Sequence, residues 1–94
     1  MASRIGRFGP HLKELRIHLC QTSKESEGVR NFITKYYVDI KNSNGRFPIL
    51  IRECSGVQPR LWARYEKGKE SCVSLTNLTA DDVLSQLESL ARKK

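Results

Sequence analysis

The sequence predicts an α/β domain with a four-stranded mixed sheet and two main helices, in the order β-α-β-β-β-α. Three observations lead to it. An alternating segment, Leu15, Ile17 and Leu19, precedes a helical stripe of Val29, Phe32, Ile33, Tyr36 and Ile40. A short apolar run, Phe47-Pro48-Ile49-Leu50-Ile51, follows a turn signal after that stripe. Two further alternating segments then lead into a second stripe, Val83, Leu84, Leu87, Leu90 and Ala91.

Length and charge bound the reading before any element is placed. The 94 residues suit one small domain with a modest core. A formal net charge of +7 favours acidic partners, whether nucleic acid, anionic headgroups or an acidic protein surface, without choosing among them; a solvated basic surface with no such partner is the alternative. No apolar run approaches the roughly 20 residues that span a bilayer. Residues 1–13 form a basic arm, with Arg4, Arg7 and Lys13 and no acid. It lacks the apolar centre of a secretory signal and fits either a mitochondrial import signal or an ordinary basic arm. Residues 14–94 are expected to form the single domain.

The first strand is expected over Glu14 to Cys20, with Arg16, His18 and Cys20 on the face opposite Leu15, Ile17 and Leu19. His18 reads as a polar-face strand residue, because no nucleophile pairs with it in a catalytic motif. Between Gln21 and Gly28, Thr22 with Glu25 forms a candidate capping box, and Ser23 and Ser26 are rival caps. The first helix then runs to the turn at Asn42-Ser43-Asn44-Gly45. The second strand, Phe47 to Glu53, reads as buried on both faces, and Pro48, which cannot donate to a ladder, belongs at its beginning or on an edge. Strand, helix and strand make a βαβ unit, so its two strands are expected to be parallel with a right-handed crossover.

The loop Ser55-Gly56-Val57-Gln58-Pro59 separates this unit from a hairpin. Leu61 to Glu66 and Glu70 to Leu75 alternate, and the short link Lys67-Gly68-Lys69 makes them antiparallel. Thr79 is the expected N-cap of the last helix, with Asp82 as box partner, Asp81 in the first turn, and Leu78 and Val83 at the staple positions. Arg92, Lys93 and Lys94 lie at its negative dipole end. Two layer arrangements satisfy this order. Both helices on one face give a two-layer sandwich; helices on opposite faces give three layers.

This order is the minimal thioredoxin core. Cys20 closes the first strand before a helix, where thioredoxins place their reactive thiol. Pro59 precedes the third strand, where thioredoxin-like folds place a cis-proline; an ordinary trans proline is the alternative. The runs Arg16-Ile17-His18-Leu19-Cys20-Gln21, Pro48-Ile49-Leu50-Ile51-Arg52-Glu53-Cys54 and Gln58-Pro59-Arg60-Leu61-Trp62-Ala63-Arg64-Tyr65, with Gly68 and Glu70 behind them, resemble the thioredoxin-fold accessory subunit family of respiratory complex I (NADH:ubiquinone oxidoreductase). The resemblance covers about Glu14 to Leu90, and mitochondrial ribosomal proteins share the domain family. It implies a non-catalytic accessory subunit, peripheral on the matrix side of the mitochondrial inner membrane. That subunit would bind other complex I subunits, support the stability or assembly of the peripheral arm, and hold no cofactor. Three scattered cysteines do not supply a four-thiolate cluster. Nor do they, with His11 and His18, show the spacing of a zinc or other metal site.

Three readings remain for Cys20 and Cys54. The resemblance implies that this pair forms a redox-dependent disulfide; adjacent parallel strands, about 4.8 Å apart, would bring their ends within bridging distance. Cys20-Gln21-Thr22-Ser23 also reads as Cys-x-x-Ser, a single-thiol oxidoreductase motif whose thiol a helix N-terminus would activate. In the third reading both are reduced and pack as small apolar groups, and Cys72 on the hairpin packs likewise. Arg52, Arg60, Trp62 and Arg64 are the candidate partner-binding residues, because Trp and Arg dominate interface energetics. The competing reading places Trp62 beneath a helix. An RNA-binding ribosomal protein is the alternative function; net charge favours it, while dispersed basic residues and the lack of an aromatic-rich RNA motif oppose it.

Overall fold

A computed structural model of the chain describes Phe8 and residues 11–92, so most of the basic arm and the terminal Lys93 and Lys94 lie outside the described residues. Strand β1, Leu12–Leu19, starts two residues inside the expected arm and buries Leu15, Ile17 and Leu19 completely. A single 3-10 turn, Lys24–Ser26, leads into helix α1, Glu27–Ser43. The expected Thr22–Glu25 capping box does not form, because the 3-10 turn moves the helix start beyond Ser26. Neither Ser23 nor Ser26 caps through its side chain. Ser23 Oγ is buried without a partner among the described residues, whereas the Ser26 and Thr22 hydroxyls serve the end of β1. Ser26 Oγ accepts the Cys20 N–H at 3.0 Å, and Thr22 Oγ1 lies 3.7 Å from Cys20 Sγ.

Strand β2, Ile49–Glu53, pairs parallel with β1, from Leu15 opposite Ile49 to Leu19 opposite Glu53. Strands β3, Arg60–Tyr65, and β4, Glu70–Ser74, form the expected antiparallel hairpin, and β3 also pairs antiparallel with β1. The sheet order is β2-β1-β3-β4. This corrects the expectation that β2 is buried on both faces and agrees with the edge position that Pro48 allowed. It is an edge strand covered on one face only: Ile49 is buried, but Leu50 is 40% exposed. A continuous apolar run is a signal of burial on both faces only where helices cover both.

Helix α2, Ala80–Ala91, is capped as expected: Thr79 Oγ1 accepts the Asp82 N–H at 3.2 Å. Thr79→Ala removes this acceptor and is expected to cost about 1 kcal/mol, read as a fall of about 4–8 °C in Tm by circular dichroism. At the other end Arg92 is the C-cap, and its guanidinium reaches Glu88 at 4.0 Å.

Both helices lie on one face of the sheet, so the domain is a two-layer sandwich. Val29, Phe32 and Ile40 of α1 and Val83, Leu84, Leu87 and Leu90 of α2 share one core with Leu15, Ile17, Leu61 and Ala63. Polar contacts fasten the layer at its margins. Tyr36 Oη donates to Asp81 Oδ1 at 2.5 Å, Lys35 Nζ lies 3.6 Å from the same carboxylate, and Tyr65 Oη donates to the Leu90 carbonyl at 2.7 Å. Among the described residues no helix is long and apolar enough to cross a membrane.

The cis-proline expectation is also corrected. Among the described residues no peptide bond is cis, so the bond before Pro59 is trans. The loop turns at Ser55 and Gly56, where a φ of 78° suits glycine. Pro59 is buried, and its carbonyl accepts the Leu75 N–H at 2.9 Å, continuing the β3–β4 ladder.

Candidate functional site

Strand alternation decides what the uncovered face of the sheet carries. Leu61, Ala63 and Tyr65 turn to the helices, so Arg60, Trp62 and Arg64 turn away from them. Register places them in rows. Arg52 of β2, His18 of β1 and Arg60 of β3 lie side by side. The next row holds Leu50, Arg16, Trp62 and Cys72, and the last holds Glu14, Arg64 and Glu70. The four residues expected to meet a partner, Arg52, Arg60, Trp62 and Arg64, therefore share one surface. The reading that put Trp62 beneath a helix is overturned, because both helices cover the other face.

The charges on this face are unevenly compensated. Glu14 lies 3.2 Å from Arg16 and 3.6 Å from Arg64, and Arg16 also meets Glu70 at 2.9 Å. Arg52 and Arg60 make no ion pair among the described residues. His18 between them has its pKa lowered, first by burial and then by the charges of Arg16 and Arg52, so it is neutral at pH 7. Trp62 is half-buried, with the Arg16 Cζ 6.0 Å and the His18 ring 6.5 Å from its ring centre. Its Nε1–H is covered and has no acceptor among the described residues. Sequence reasoning did not join Arg16 and His18 to this surface. Their alternation with Leu15 and Ile17 gave their face, but only the order β2-β1-β3 sets them between Arg52 and Arg60.

The second feature lies at the ends of β1 and β2. Leu19 and Glu53 are the last paired residues, so Cys20 and Cys54 follow them at neighbouring strand ends. Both are free thiols, Cys20 buried and Cys54 exposed, and Cys72 is a half-buried free thiol on β4. The Gly56 N–H donates to Cys20 Sγ at 3.3 Å. Backbone N–H groups of Thr22, Gly56 and Ser23, with the Thr22 hydroxyl, lower the Cys20 pKa to about 6, outweighing the opposite effect of burial. Arg30 Nη1 donates to the Cys20 carbonyl at 2.9 Å and holds the segment against α1. This surrounding favours thiolate over thiol.

The sign of the pH dependence follows. The folded pKa of about 6 lies below the ordinary value of 9.0, so between these limits the unfolded chain binds more protons. Stability from this group is lost as pH falls through about 6, rises with pH above it, and is complete above about 9. Cys20→Ser is expected to flatten this rise in urea midpoints and to remove the low-pH step in ultraviolet thiolate absorbance. Persistence of that step in the variant assigns it to another thiol.

A mixed sheet of order β2-β1-β3-β4, helices on one face, a basic open face and a polarised thiol at a strand end define a one-faced α/β domain. Comparison with known proteins gives the family. The pattern of the mitochondrial ribosomal protein L51 / S25 / CI-B8 domain matches residues 29–80. The chain is 53% identical over 83 residues to a Mus musculus protein named NADH dehydrogenase [ubiquinone] 1 alpha subcomplex subunit 2, covering 88% of this chain and 84% of the relative. The Arabidopsis thaliana protein of the same name is 52% identical over 87 residues, 93% of this chain and 90% of the relative. A Neurospora crassa NADH-ubiquinone oxidoreductase 10.5 kDa subunit is 39% identical over 85 residues, 90% of each chain. The chain belongs to the L51 / S25 / CI-B8 domain family, and within it to the group these NADH:ubiquinone oxidoreductase subunits form.

Proposed function

We propose that this chain is a non-catalytic accessory subunit of respiratory complex I, peripheral on the matrix side of the mitochondrial inner membrane, where it supports the stability or assembly of the peripheral arm. The observation that carries this reading is 53% identity over 84% of the length of a relative named as a subunit of NADH dehydrogenase [ubiquinone]. The strand order and the placement of Cys20 are compatible with a thioredoxin-like ancestry. In this reading the domain has kept the scaffold and serves through its surface, with Arg52, Arg60, Trp62 and Arg64 as contact residues. Gentle-detergent extraction of mitochondrial membranes, native separation and detection of the chain test it. Co-migration with NADH dehydrogenase activity is the expected result; migration as a free small protein overturns the reading.

The polarised Cys20 supports a redox-dependent bond with Cys54 in the same subunit. The two thiols follow the last paired residues of adjacent parallel strands, Leu19 and Glu53. A two-electron acceptor such as a disulfide would take up the electrons as the two thiols lose their protons and the S–S bond forms. Mass spectrometry after alkylation of oxidised and reduced protein is expected to find both cysteines protected together after oxidation. Cysteines that stay open to alkylation after oxidation remove this part of the proposal.

A further inference from the structure

We infer that the open sheet face docks an acidic protein surface, with Arg52 and Arg60 receiving its carboxylates and Trp62 as the apolar anchor beside them. This rests on the accessory-subunit reading and specifies the surface and the partner chemistry. The face lies opposite both helices, and among the described residues the two arginines are its uncompensated charges: Glu14 is engaged by Arg16 and Arg64, and Glu70 by Arg16. Arg52 and Arg60 stand two strands apart, about 10 Å at the usual strand spacing, with neutral His18 between them. Two carboxylates at that separation satisfy both guanidinium forks and relieve their mutual repulsion. In the adjacent row Leu50 is 40% exposed, an apolar neighbour for the same surface. Trp62 carries a covered N–H without an acceptor among the described residues, which costs the isolated domain free energy. A small turn of the ring toward an incoming carbonyl or carboxylate gives that donor a partner. Tryptophan and arginine are also the residues on which interface energy concentrates.

The same face is poorly suited to RNA. Sheets that read RNA stack two or three bases on exposed aromatic rings. Here a single tryptophan is already flanked by Arg16 and His18, and the carboxylates of Glu14 and Glu70 share the surface and repel phosphate.

The test uses the full chain in mitochondria, as wild type, as R52E/R60E, and as K24E/R46E. The last pair makes the same charge change at exposed positions outside the sheet. After gentle-detergent extraction and native separation, wild type and K24E/R46E are expected to co-migrate with NADH dehydrogenase activity, and R52E/R60E to fall by about tenfold or more in that fraction. Retention of R52E/R60E at the wild-type level overturns the inference and leaves the accessory-subunit reading intact. Absence of wild type from the fraction overturns that reading instead. Loss of RNA-bound particles on R52E/R60E assigns the face to RNA and overturns the inference too. The conservative pair R52K/R60K guards against misfolding. In the assembled complex, a carbodiimide activates a carboxylate and the lysine amine displaces it as the urea, leaving an isopeptide bond. Bonds from positions 52 and 60 to aspartate or glutamate of one partner protein are expected; an assembled complex without them overturns the inference.

Discussion

Gly28→Ala is expected to destabilise the domain by about 3 kcal/mol or more, seen as a Tm lower by about 15 °C or more in thermal melts. Glycine to alanine in a helix ordinarily gains up to about 1 kcal/mol, so the sign itself is diagnostic. Gly28 stands in the first turn of α1, against the segment that enters α2. A Cβ there would lie 1.6 Å from the Leu78 carbonyl oxygen, 2.7 Å from its carbon and 3.2 Å from the Thr79 carbonyl carbon. All three are backbone atoms, so no side chain can rotate aside. The neighbouring bond from the Asn77 N–H to the Glu25 carbonyl, 3.1 Å, holds the same approach together. Relief requires separating α1 from the start of α2, which opens the core between them. Gly45→Ala is the control: its Cβ would meet nothing within 4 Å, and its melt is expected to stay close to wild type. A Gly28→Ala protein with unchanged Tm would show that the two helices do not approach in this way.

Phe32→Ala is expected to cost about 3–5 kcal/mol, measured as ΔG from urea unfolding. Phe32 is 1% exposed, the largest of the fully buried side chains, and its ring centre lies 5.9 Å from that of Tyr36. It sits in the core that both helices share with β1 and β3, so its removal leaves a cavity bounded by elements that cannot all collapse inward. Small domains have about 5–15 kcal/mol of stability in all, so this one change consumes much of it. Phe32→Leu keeps most of the volume and is expected to cost less. Val38→Ala on the same helix, at a residue 63% exposed, is expected to change little. Equal losses at Phe32 and Val38 would contradict the one-faced burial of α1.

These two expectations differ in where their signal lies. Phe32 belongs to an apolar stripe visible in the sequence, and the stripe marks it as core. Nothing in the sequence around Gly28 distinguishes a glycine that must be glycine from one that merely ends a loop, because the atom it avoids, the Leu78 carbonyl oxygen, arrives from fifty residues along the chain.

The same division runs through the molecule. Element type and order were legible because their causes are local: alternation in Leu15, Ile17 and Leu19 makes a strand, steps of three and four from Val29 to Ile40 make a helix, and a hydroxyl at Thr79 caps the turn that follows it. The parallel pairing of β1 with β2 followed from the length of the intervening helix, and the hairpin from its short link. Pro48 allowed an edge position for β2, but apolar content alone did not reveal that only one face is covered, since Leu50 is the same residue whether or not a helix covers it. The trans bond before Pro59 was not legible in the Gln58-Pro59 pair, which suits either isomer, and the structure places a positive φ at Gly56 in the same loop. Cys20 owes its thiolate character partly to an N–H donated by Gly56, and Arg52 and Arg60 are brought to either side of His18 only by the sheet order. Sequence determined which segments fold and how each begins and ends, because hydrogen bonding and side-chain periodicity act within a few residues. Tertiary structure decided that both helices take one face, and with it the open basic surface, because burying two apolar stripes against each other and one side of the sheet leaves the other side to whatever residues alternation has put there.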